Sequence, residues 1–217
     1  MKVVHISRKS PDRRLLLSCA GLLKEGRVAV YPTDTYYGIG GNALDRHVSD
    51  RVYEIKQRSR EKPLILLISR MAQFHELTAD RSAAAERLAR TCWPGPLTLI
   101  LPASEEIPGF VRGSAGTVAL RIPSSPLIQQ LIDACGFPLT GTSANIAGRP
   151  SPSTVKELDP CVREHIDLLI DGGDTDARQG STIVDCTGNR PVLLRPGAFP
   201  ETRLHRIGVD STVKGGS

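Results

Sequence analysis

Short apolar runs alternate along this chain with amphipathic helical patterns. The segment RVAVYP at 27–32 predicts a buried strand that ends at Pro32, because proline cannot donate to a strand ladder. The run PLILLIS at 63–69 is continuously apolar over a strand's length, which is typical of a strand buried on both faces. The same kind of pattern predicts further strands at 96–102, 117–123, 166–171, 181–186 and 191–195.

Helical periodicity fills the intervals between these strands. Ser10 and Pro11 are predicted to open a first helix that stops near Gly26. Further helices are predicted at about 49–58, 82–92 and 126–135. Helices alternating with short apolar strands indicate an α/β (α+β) fold, with one domain built around one twisted sheet. We expect this domain to span residues 1–199, followed by a loosely held polar tail over 200–217.

Composition narrows the class of protein. The 217 residues are 40% hydrophobic and 24% charged, which is enough apolar material for a packed core. Aromatic residues make up only 4%, and this argues against an aromatic stacking platform for single-stranded RNA. The net charge of +5 fits an anionic partner such as a nucleotide or tRNA, without choosing between them.

Cysteine and histidine usage predicts neither disulfides nor a zinc site. The five cysteines include no C-x-x-C pair, and the five histidines are dispersed. The amino terminus lacks the apolar segment of a signal peptide, and charges interrupt every long apolar run. We therefore expect a cytoplasmic protein with no membrane association.

The first stretch whose side chains could bind a substrate or take part in catalysis is YPTDTYYGIGGNALD at 31–45. Thr33, Asp34 and Thr35 follow the predicted strand directly and precede a glycine-rich turn. Hydroxyls and a carboxylate at a strand exit suit a polar substrate. The same residues also suit a turn whose side chains only cap local amides. A Walker A phosphate loop is absent from the sequence.

The second stretch, KQRSREKP at 56–63, is dense in basic residues. A run of charge is usually a solvated face, but this one lies between a predicted helix end and a buried strand. Its cations are therefore placed either in solvent or at a cleft, where they would hold phosphates.

Two later stretches combine polar residues with strand-like runs. The loop LTGTSANIAGRPSPST at 139–154 has the density of amides and hydroxyls of an anion-binding nest, or is an ordinary Ser/Gly/Pro loop. Arg195 precedes a Pro-Gly turn within 181–197, and Arg121 interrupts the apolar run VALRIP. An arginine among strand hydrophobes needs a partner or a cleft, because an unpaired buried charge is costly.

Taken in order, these stretches resemble the YrdC-like threonylcarbamoyl-AMP synthases. The matching segments are YPTDTYYG, KQRSREKPL, WPGPLTLILP, VALRIP, GTSANIAGRPSPST, STIVD and LLRPG, and they cover residues 12 to 198. The resemblance is to the short, single-domain form. It implies a twisted mixed sheet flanked by helices, with a concave basic face that holds the active site.

The activity that this resemblance implies is that of a nucleotidyltransferase. L-threonine, bicarbonate and ATP would give threonylcarbamoyl-AMP and pyrophosphate, for the modification of adenosine in tRNA. The implied cofactor is Mg²⁺ carried by ATP, with no metal site assigned to the protein. The implied partners are the proteins that transfer the threonylcarbamoyl group to tRNA.

The resemblance also implies a role for individual residues. The catalytic cations would be Lys56, Arg58 and Lys62. The residues that would contact L-threonine are Thr35, Arg121, Gly141 and Ser181. The residues that would contact ATP are Arg58, Lys62, Thr117, Ser143, Asn145, Ser151 and Arg195.

Two positions depart from the family pattern, and two other functions stay open. Leu67 stands where many members have histidine, and Ser59 replaces the usual proline of K-x-R-P. One alternative function is a related carbamoyl-adenylate-forming enzyme. The other is a module that binds double-stranded RNA or assists ribosome assembly through a basic face. RNA or tRNA binding is also compatible with the synthase as a secondary property.

Overall fold

The computed structural model describes residues 1–61, 63–113, 115–175 and 179–210. The strands in these ranges are β1 (Lys2–His5), β2 (Ala29–Pro32), β3 (Tyr37–Gly40), β4 (Ile65–Leu67), β5 (Leu97–Pro102), β6 (Thr117–Arg121), β7 (Leu139–Thr140), β8 (Thr142–Ser143), β9 (Leu168–Asp171), β10 (Thr182–Asp185) and β11 (Val192–Arg195). The α-helices are α1 (Arg13–Lys24), α2 (Arg46–Lys56), α3 (Met71–Leu77), α4 (Ala83–Cys92), α5 (Pro126–Cys135), α6 (Pro160–His165) and α7 (Glu201–Arg206). None of these helices has the length and apolar character needed to cross a membrane.

The strands form two sheets, each with parallel and antiparallel pairs. The first sheet has the order β1-β9-β2-β3-β8 and the second has the order β11-β10-β5-β6-β4-β7. The predicted α/β class with one mixed domain is thus confirmed, but the prediction of a single sheet is wrong. The reason lies at Gly141: β7 pairs with β4 in the second sheet, and β8, one residue later, pairs with β3 in the first. The chain therefore changes sheet at this glycine.

Most predicted elements are present with shifted boundaries. The first helix begins at Arg13 rather than at Ser10 and Pro11, because the Asp12 side chain accepts bonds from the amides of Arg14 and Leu15 and so caps it. The short strands β1, β3, β7 and β8 and the helices α3, α6 and α7 are additional to the prediction. These elements are brief, so their apolar pattern covers too few residues to be distinctive.

Three groups of buried side chains form the core. The largest packs α3 and α4 against the second sheet, with Phe74, Leu88 and Leu99 among its members. Another packs α1 and α5 against the first sheet. The third lies between the first sheet, α2 and α6. Helices thus cover both sheets, as the alternating pattern predicts.

The chain after Pro200 differs from the predicted tail. Residues 201–206 form α7, and Leu204 and Val209 are buried in the largest core group. Both side chains lie within a mainly polar sequence, which is why the pattern gave no sign of them. Residues 211–217 lie outside the described ranges, and the division of the chain at residue 199 stays a prediction.

Candidate active site

A cleft of about 780 Å³ opens where the two sheets meet. Its walls come from the turn after β2, the 57–61 segment and Pro63, β4, β6, the Gly141 crossover and the segments around β10 and β11. Eight of the predicted site residues line it, namely Thr35, Arg58, Arg121, Gly141, Ser143, Ser151, Ser181 and Arg195. Five stretches that are far apart in the sequence therefore converge on one cavity.

Arg121 stands at one end of the cleft, at the last position of β6. Its side chain is only 5% exposed, and all of its nitrogens have partners. Nη2 forms an ion pair with Asp34, Nη1 donates to Thr35 Oγ1 at 3.1 Å, and Nε donates to the Gly95 carbonyl at 3.1 Å. The partner that a buried arginine requires is therefore Asp34.

Asp34 is held on its other side by Ser124. One carboxylate oxygen accepts bonds from the Ser124 amide at 3.1 Å and from its hydroxyl at 2.9 Å. Burial raises the pKa of Asp34, but the Arg121 charge and these hydrogen bonds outweigh it and hold the pKa below its ordinary value. The carboxylate is thus ionised and fixed against Arg121. Asp34 is a site residue absent from the predicted set, although its place inside PTDT marked it.

The turn between β2 and β3 places Thr35 in the cleft. Thr33 Oγ1 lies 3.0 Å from Thr35 Oγ1, accepts the Thr35 amide at 3.1 Å, and donates to the Tyr36 carbonyl at 2.7 Å. The local capping expected of such a turn is therefore present, and it serves to aim the Thr35 hydroxyl at Arg121. The capping interpretation of this stretch is confirmed, and its role toward a substrate stays a prediction.

Lys56 lies behind the cleft wall and supports it. Lys56 is 2% exposed. Its Nζ donates to the Ser143 carbonyl, to the Asn145 carbonyl at 2.9 Å and to Asn145 Oδ1 at 3.2 Å. Burial, and then the charge of Arg58, lower the pKa of Lys56 to about 7. Neither Lys56 nor Asn145 is among the described residues that line the cleft. Their predicted catalytic and ATP-binding roles stay predictions.

The loop that Lys56 supports presents Ser143 to the cavity. Ser143 Oγ donates to Asn145 Oδ1 at 2.6 Å, and Asn145 Nδ2 donates to the Arg149 carbonyl at 2.5 Å. This internal bonding holds the loop in one conformation. Ser151, further along the same stretch, lines the cavity as well.

Arg58 and Arg195 bring two guanidinium groups to the remaining wall, which Glu61 and Glu201 also line. Arg58 Nη2 donates to the Pro63 carbonyl at 3.3 Å, and Arg195 Nη2 donates to the Ser181 carbonyl at 2.8 Å. Burial lowers the pKa of Arg195, and the charges of Arg58 and Arg121 lower it further. Guanidinium groups that repel one another across one cavity form a site that favours anions.

The floor of the cleft is closely packed at Gly141. A β-carbon there would lie 2.6 Å from Leu67 Cδ2, so only glycine fits without displacing Leu67. Leu67 is buried and lines the cleft together with Ile65 and Ala119. Ile65 and Ala119 are parts of the site that the sequence patterns left among ordinary core strands, whereas Leu67 was marked as a departure from the family pattern. Ser181 is fixed opposite, where its Oγ accepts a bond from Thr98 Oγ1 at 2.8 Å.

Besides Lys56 and Asn145, two more predicted residues are not assigned to the cleft. The Thr117 carbonyl accepts the Gly113 amide at 2.8 Å, and Thr117 is not one of the lining residues of the described chain. Lys62 lies outside the described residues. Within the described ranges, no cluster of three or more His, Cys, Asp or Glu side chains is arranged to hold a metal ion.

Comparison with known proteins places the chain in a family. The family model for Sua5, YciO and YrdC proteins, described as telomere recombination, matches residues 21–197. The chain belongs to the Sua5/YciO/YrdC family. This confirms the resemblance drawn from the ordered motifs.

Members of this family that resemble the chain include two threonylcarbamoyl-AMP synthases. That of Pyrococcus abyssi is 40% identical over 205 residues, covering 94% of this chain and 60% of the relative. That of Bacillus subtilis is 36% identical over 193 residues, covering 88% of this chain and 56% of the relative. The chain thus spans somewhat more than half the length of each relative.

A solved structure extends the comparison to the fold. The P. abyssi Sua5 protein complexed with L-threonine superposes with a TM-score of 0.91 and 36% sequence identity. The match covers 97% of this chain and 63% of that protein.

Proposed function

We propose that this protein is an L-threonylcarbamoyladenylate synthase, a nucleotidyltransferase that uses L-threonine, bicarbonate and ATP. The observation that carries the proposal is the single cleft that joins the Arg121–Thr35 end to the Arg58, Ser143 and Arg195 wall. Support also comes from the threonylcarbamoyl-AMP synthases that the chain resembles and from the related Sua5 protein complexed with L-threonine.

The Arg121 end suits an amino acid. The guanidinium would bind the threonine carboxylate, with Thr35 and Ser181 offering hydroxyls to its polar groups. The neighbouring wall of Ile65, Leu67 and Ala119 is apolar and suits a small methyl-bearing side chain. Here Leu67 replaces the histidine expected from the family pattern, so the wall lacks an imidazole at this point.

The opposite wall suits a triphosphate. Arg58 and Arg195 would bind phosphate oxygens, and Ser143 and Ser151 would add neutral donors. Mixed hydroxyl and guanidinium ligands favour a bound nucleotide over a surface that tracks a nucleic-acid backbone with charge alone.

The chemistry would follow from placing two anions side by side. The threonine amine attacks the carbon of bicarbonate with loss of water, or attacks carbon dioxide and releases a proton to solvent, and in either case becomes an N-carboxylate. A carboxylate oxygen then attacks the α-phosphorus of ATP, the bond to the β-phosphate oxygen breaks, and pyrophosphate leaves. Arg58 and Arg195 would neutralise the negative charge that both partners carry. Catalysis would rest on positioning and electrostatics, with no covalent intermediate on the protein.

The metal requirement is also a proposal. Mg²⁺ bound to ATP would neutralise phosphate charge during the reaction. The acidic cluster of a protein-held metal is absent from the described residues, and Asn145 Oδ1 already accepts bonds from Lys56 and Ser143. We therefore expect Mg²⁺ to be held mainly by ATP and water, with the Ser143 hydroxyl as the nearest ligand from the chain.

The decisive experiment is pyrophosphate release in the presence of ATP, Mg²⁺, bicarbonate and L-threonine, omitting each component in turn. We expect release only with the complete mixture, together with a threonylcarbamoyl-AMP mass. Arg195→Ala is expected to lower kcat/KM by about 30- to 1000-fold, on the order of 2–4 kcal/mol for a preorganised donor. Arg87→Ala on the exposed face of α4 is the control and is expected to be silent.

The two alternative functions predict other results. Release without L-threonine would identify a different carbamoyl-adenylate enzyme. No release in any mixture, with salt-sensitive RNA binding, would identify an RNA-binding module. We further propose that the product passes in the cytoplasm to proteins that transfer the threonylcarbamoyl group to tRNA. The same assay with tRNA and candidate transfer proteins tests that step.

A further inference from the structure

A second groove is lined by Arg60, which lies between the cleft residues Arg58 and Glu61 in the sequence. It has a volume of about 380 Å³ and lies between α2 and the 109–112 segment. Its lining residues are Arg46, Ser49, Asp50, Tyr53, Arg60, Gly109, Phe110 and Arg112. None of them belongs to the site described above.

Each arginine of this groove is held in place by a different contact. The Arg46 guanidinium carbon lies 4.6 Å from the centroid of the Phe110 ring. Arg60 lies 5.7 Å from the Tyr53 ring centroid and forms an ion pair with Asp50. Arg112 donates from Nε to the Ile107 carbonyl at 2.8 Å and from Nη2 to the Glu105 carbonyl at 2.5 Å.

These contacts orient the guanidinium groups without using all of their donors. A guanidinium has five N–H groups, and a contact with a ring face uses none of them. Two hydrogen bonds fix Arg112, and one carboxylate fixes Arg60, so each keeps further N–H groups for another acceptor. With three arginines and one aspartate, the groove carries two net positive charges (3 − 1 = 2).

From this arrangement we propose that the second groove binds a phosphate ester. Three forked donors line the groove, from α2, the 57–61 segment and the 109–112 segment. A tetrahedral phosphate presents oxygens in several directions and can accept from all three, whereas a planar carboxylate is satisfied by one fork. The ester is either a free nucleotide or the backbone of a nucleic acid, since both present the same group.

The groove and the active-site cleft are lined by neighbouring residues of the same chain segment. Arg60 lines the groove, while Arg58, Glu61 and Pro63 of the same loop line the cleft. A phosphate ester in the groove would therefore hold the loop whose other residues form the cleft wall. This inference does not depend on the proposed synthase activity.

Calorimetric titration with tripolyphosphate tests the site directly. We expect two binding sites in the wild-type protein. R46Q/R112Q is expected to lose the groove site and keep the cleft site, and R58Q/R195Q the reverse. R13Q/R87Q, with the same change of charge at exposed positions of α1 and α4, is the control and is expected to keep both. Binding that is the same in R46Q/R112Q as in the wild type would overturn the proposal, whereas a single wild-type site that R46Q/R112Q removes would support the groove and count against the cleft.

Competition distinguishes the source of the phosphate. A single-stranded oligoribonucleotide is expected to bind with an affinity that falls as salt is added. The slope of log K against log salt concentration is expected to be smaller in magnitude by about 1.4 in R46Q/R112Q, because two phosphate contacts are lost. AMP binding at the groove without this RNA effect would identify a free nucleotide as the ligand. Equal competition by poly-glutamate would overturn the proposal, since the groove would then bind any anion. R46Q alone removes one proposed phosphate ligand and, within the fold, disturbs only the contact with the Phe110 ring, so it repeats the test if R112Q impairs folding.

Discussion

Single residues in this protein have their roles set by their neighbours. Arg121 and Asp34 are an example, because the same carboxylate that neutralises the arginine also fixes its orientation toward the cleft. A buried pair contributes little net stability when intact, but removing one partner leaves an uncompensated charge. The ion pair therefore acts as a geometric constraint, and its energetic importance appears only when it is broken.

Replacing Asp34 with asparagine is expected to destabilise the fold by about 3 kcal/mol at pH 7, because Arg121 stays buried without a countercharge. The folded-state pKa of Asp34 is depressed, so its contribution is present above the ordinary value of 3.8 and is lost as the pH falls through the folded value. Urea unfolding of the two proteins at pH 7 and near pH 3 measures the difference, which we expect to shrink in acid.

The control is Asp133→Asn, which breaks the exposed pair with Arg70 and is expected to cost less than about 1 kcal/mol. An equal loss of unfolding free energy in the two variants would mean that burial of the Asp34–Arg121 pair does not raise the cost of breaking it. A loss for Asp34→Asn that stays constant with pH would mean that its charge is not the cause.

Lys56 provides a second test at this scale. Below its pKa of about 7 the ammonium has three donors for the three oxygens of the 143–145 loop. Above this pKa the neutral amine has two donors and a lone pair, so one oxygen loses its partner. We expect kcat/KM for ATP to fall as the pH rises from 6.5 to 8.5. In Lys56→Met we expect kcat/KM for ATP to be independent of pH over this range. Its value is expected to be about 30-fold lower than in the wild type, because charged hydrogen bonds worth roughly 2 kcal/mol are lost.

Exposed Lys24→Met on α1 is the matched variant and is expected to keep the wild-type pH profile. The kinetic constants separate two roles for Lys56. A rise in KM for ATP indicates that Lys56 acts through the loop, whereas a fall in kcat at constant KM indicates direct contact with the reacting groups.

At the scale of elements, the site depends on where strands change partners. β7 and β8 are two residues each, and only Gly141 separates them. Leu67 of β4 packs against this crossover, and the Gly141 amide donates to the Ile65 carbonyl at 2.5 Å. The crossover can pass this close to β4 only because position 141 has no side chain.

Gly141→Ala is expected to cost about 1–3 kcal/mol and to raise KM for L-threonine, because the new methyl group displaces Leu67 from the cleft floor. Adding Leu67→Ala removes the clash. Urea unfolding of the two single variants and the double variant measures the coupling between the two changes. We expect the double variant to be more stable than the sum of the two single losses predicts, by at least about 0.5 kcal/mol. Additive losses would contradict a direct contact between the two side chains.

At the scale of the whole molecule, the cleft is shared by both sheets. Thr35 and Gly38 border it from the first sheet, and Ile65 and Ser181 from the second. A ligand in the cleft therefore contacts both halves of the core at once. Packing of α1, α5 and Leu67 in one group already ties the halves together.

We expect both sheets to unfold in one transition and to be stabilised together by substrates. Trp93 is the sole tryptophan and lies in the core group of the second sheet, so its fluorescence reports that half, while far-UV circular dichroism reports the whole. ATP at a hundredfold excess over its Kd is expected to add about 2.7 kcal/mol to the free energy of unfolding by both probes. Separate transitions, or a shift seen by one probe only, would show that the halves are independent.

The sequence by itself determined the class of fold, most of the longer helices and strands, and the polar stretches that form the site. These features follow from local periodicity and from residue types that are costly to bury, such as Arg121. Tertiary structure alone decided that Lys56 is buried behind the cleft and that the chain changes sheet at Gly141. It also decided that Leu204 belongs to the core. The physical reason is that partner strands and burial depend on contacts between distant segments, which no local pattern encodes.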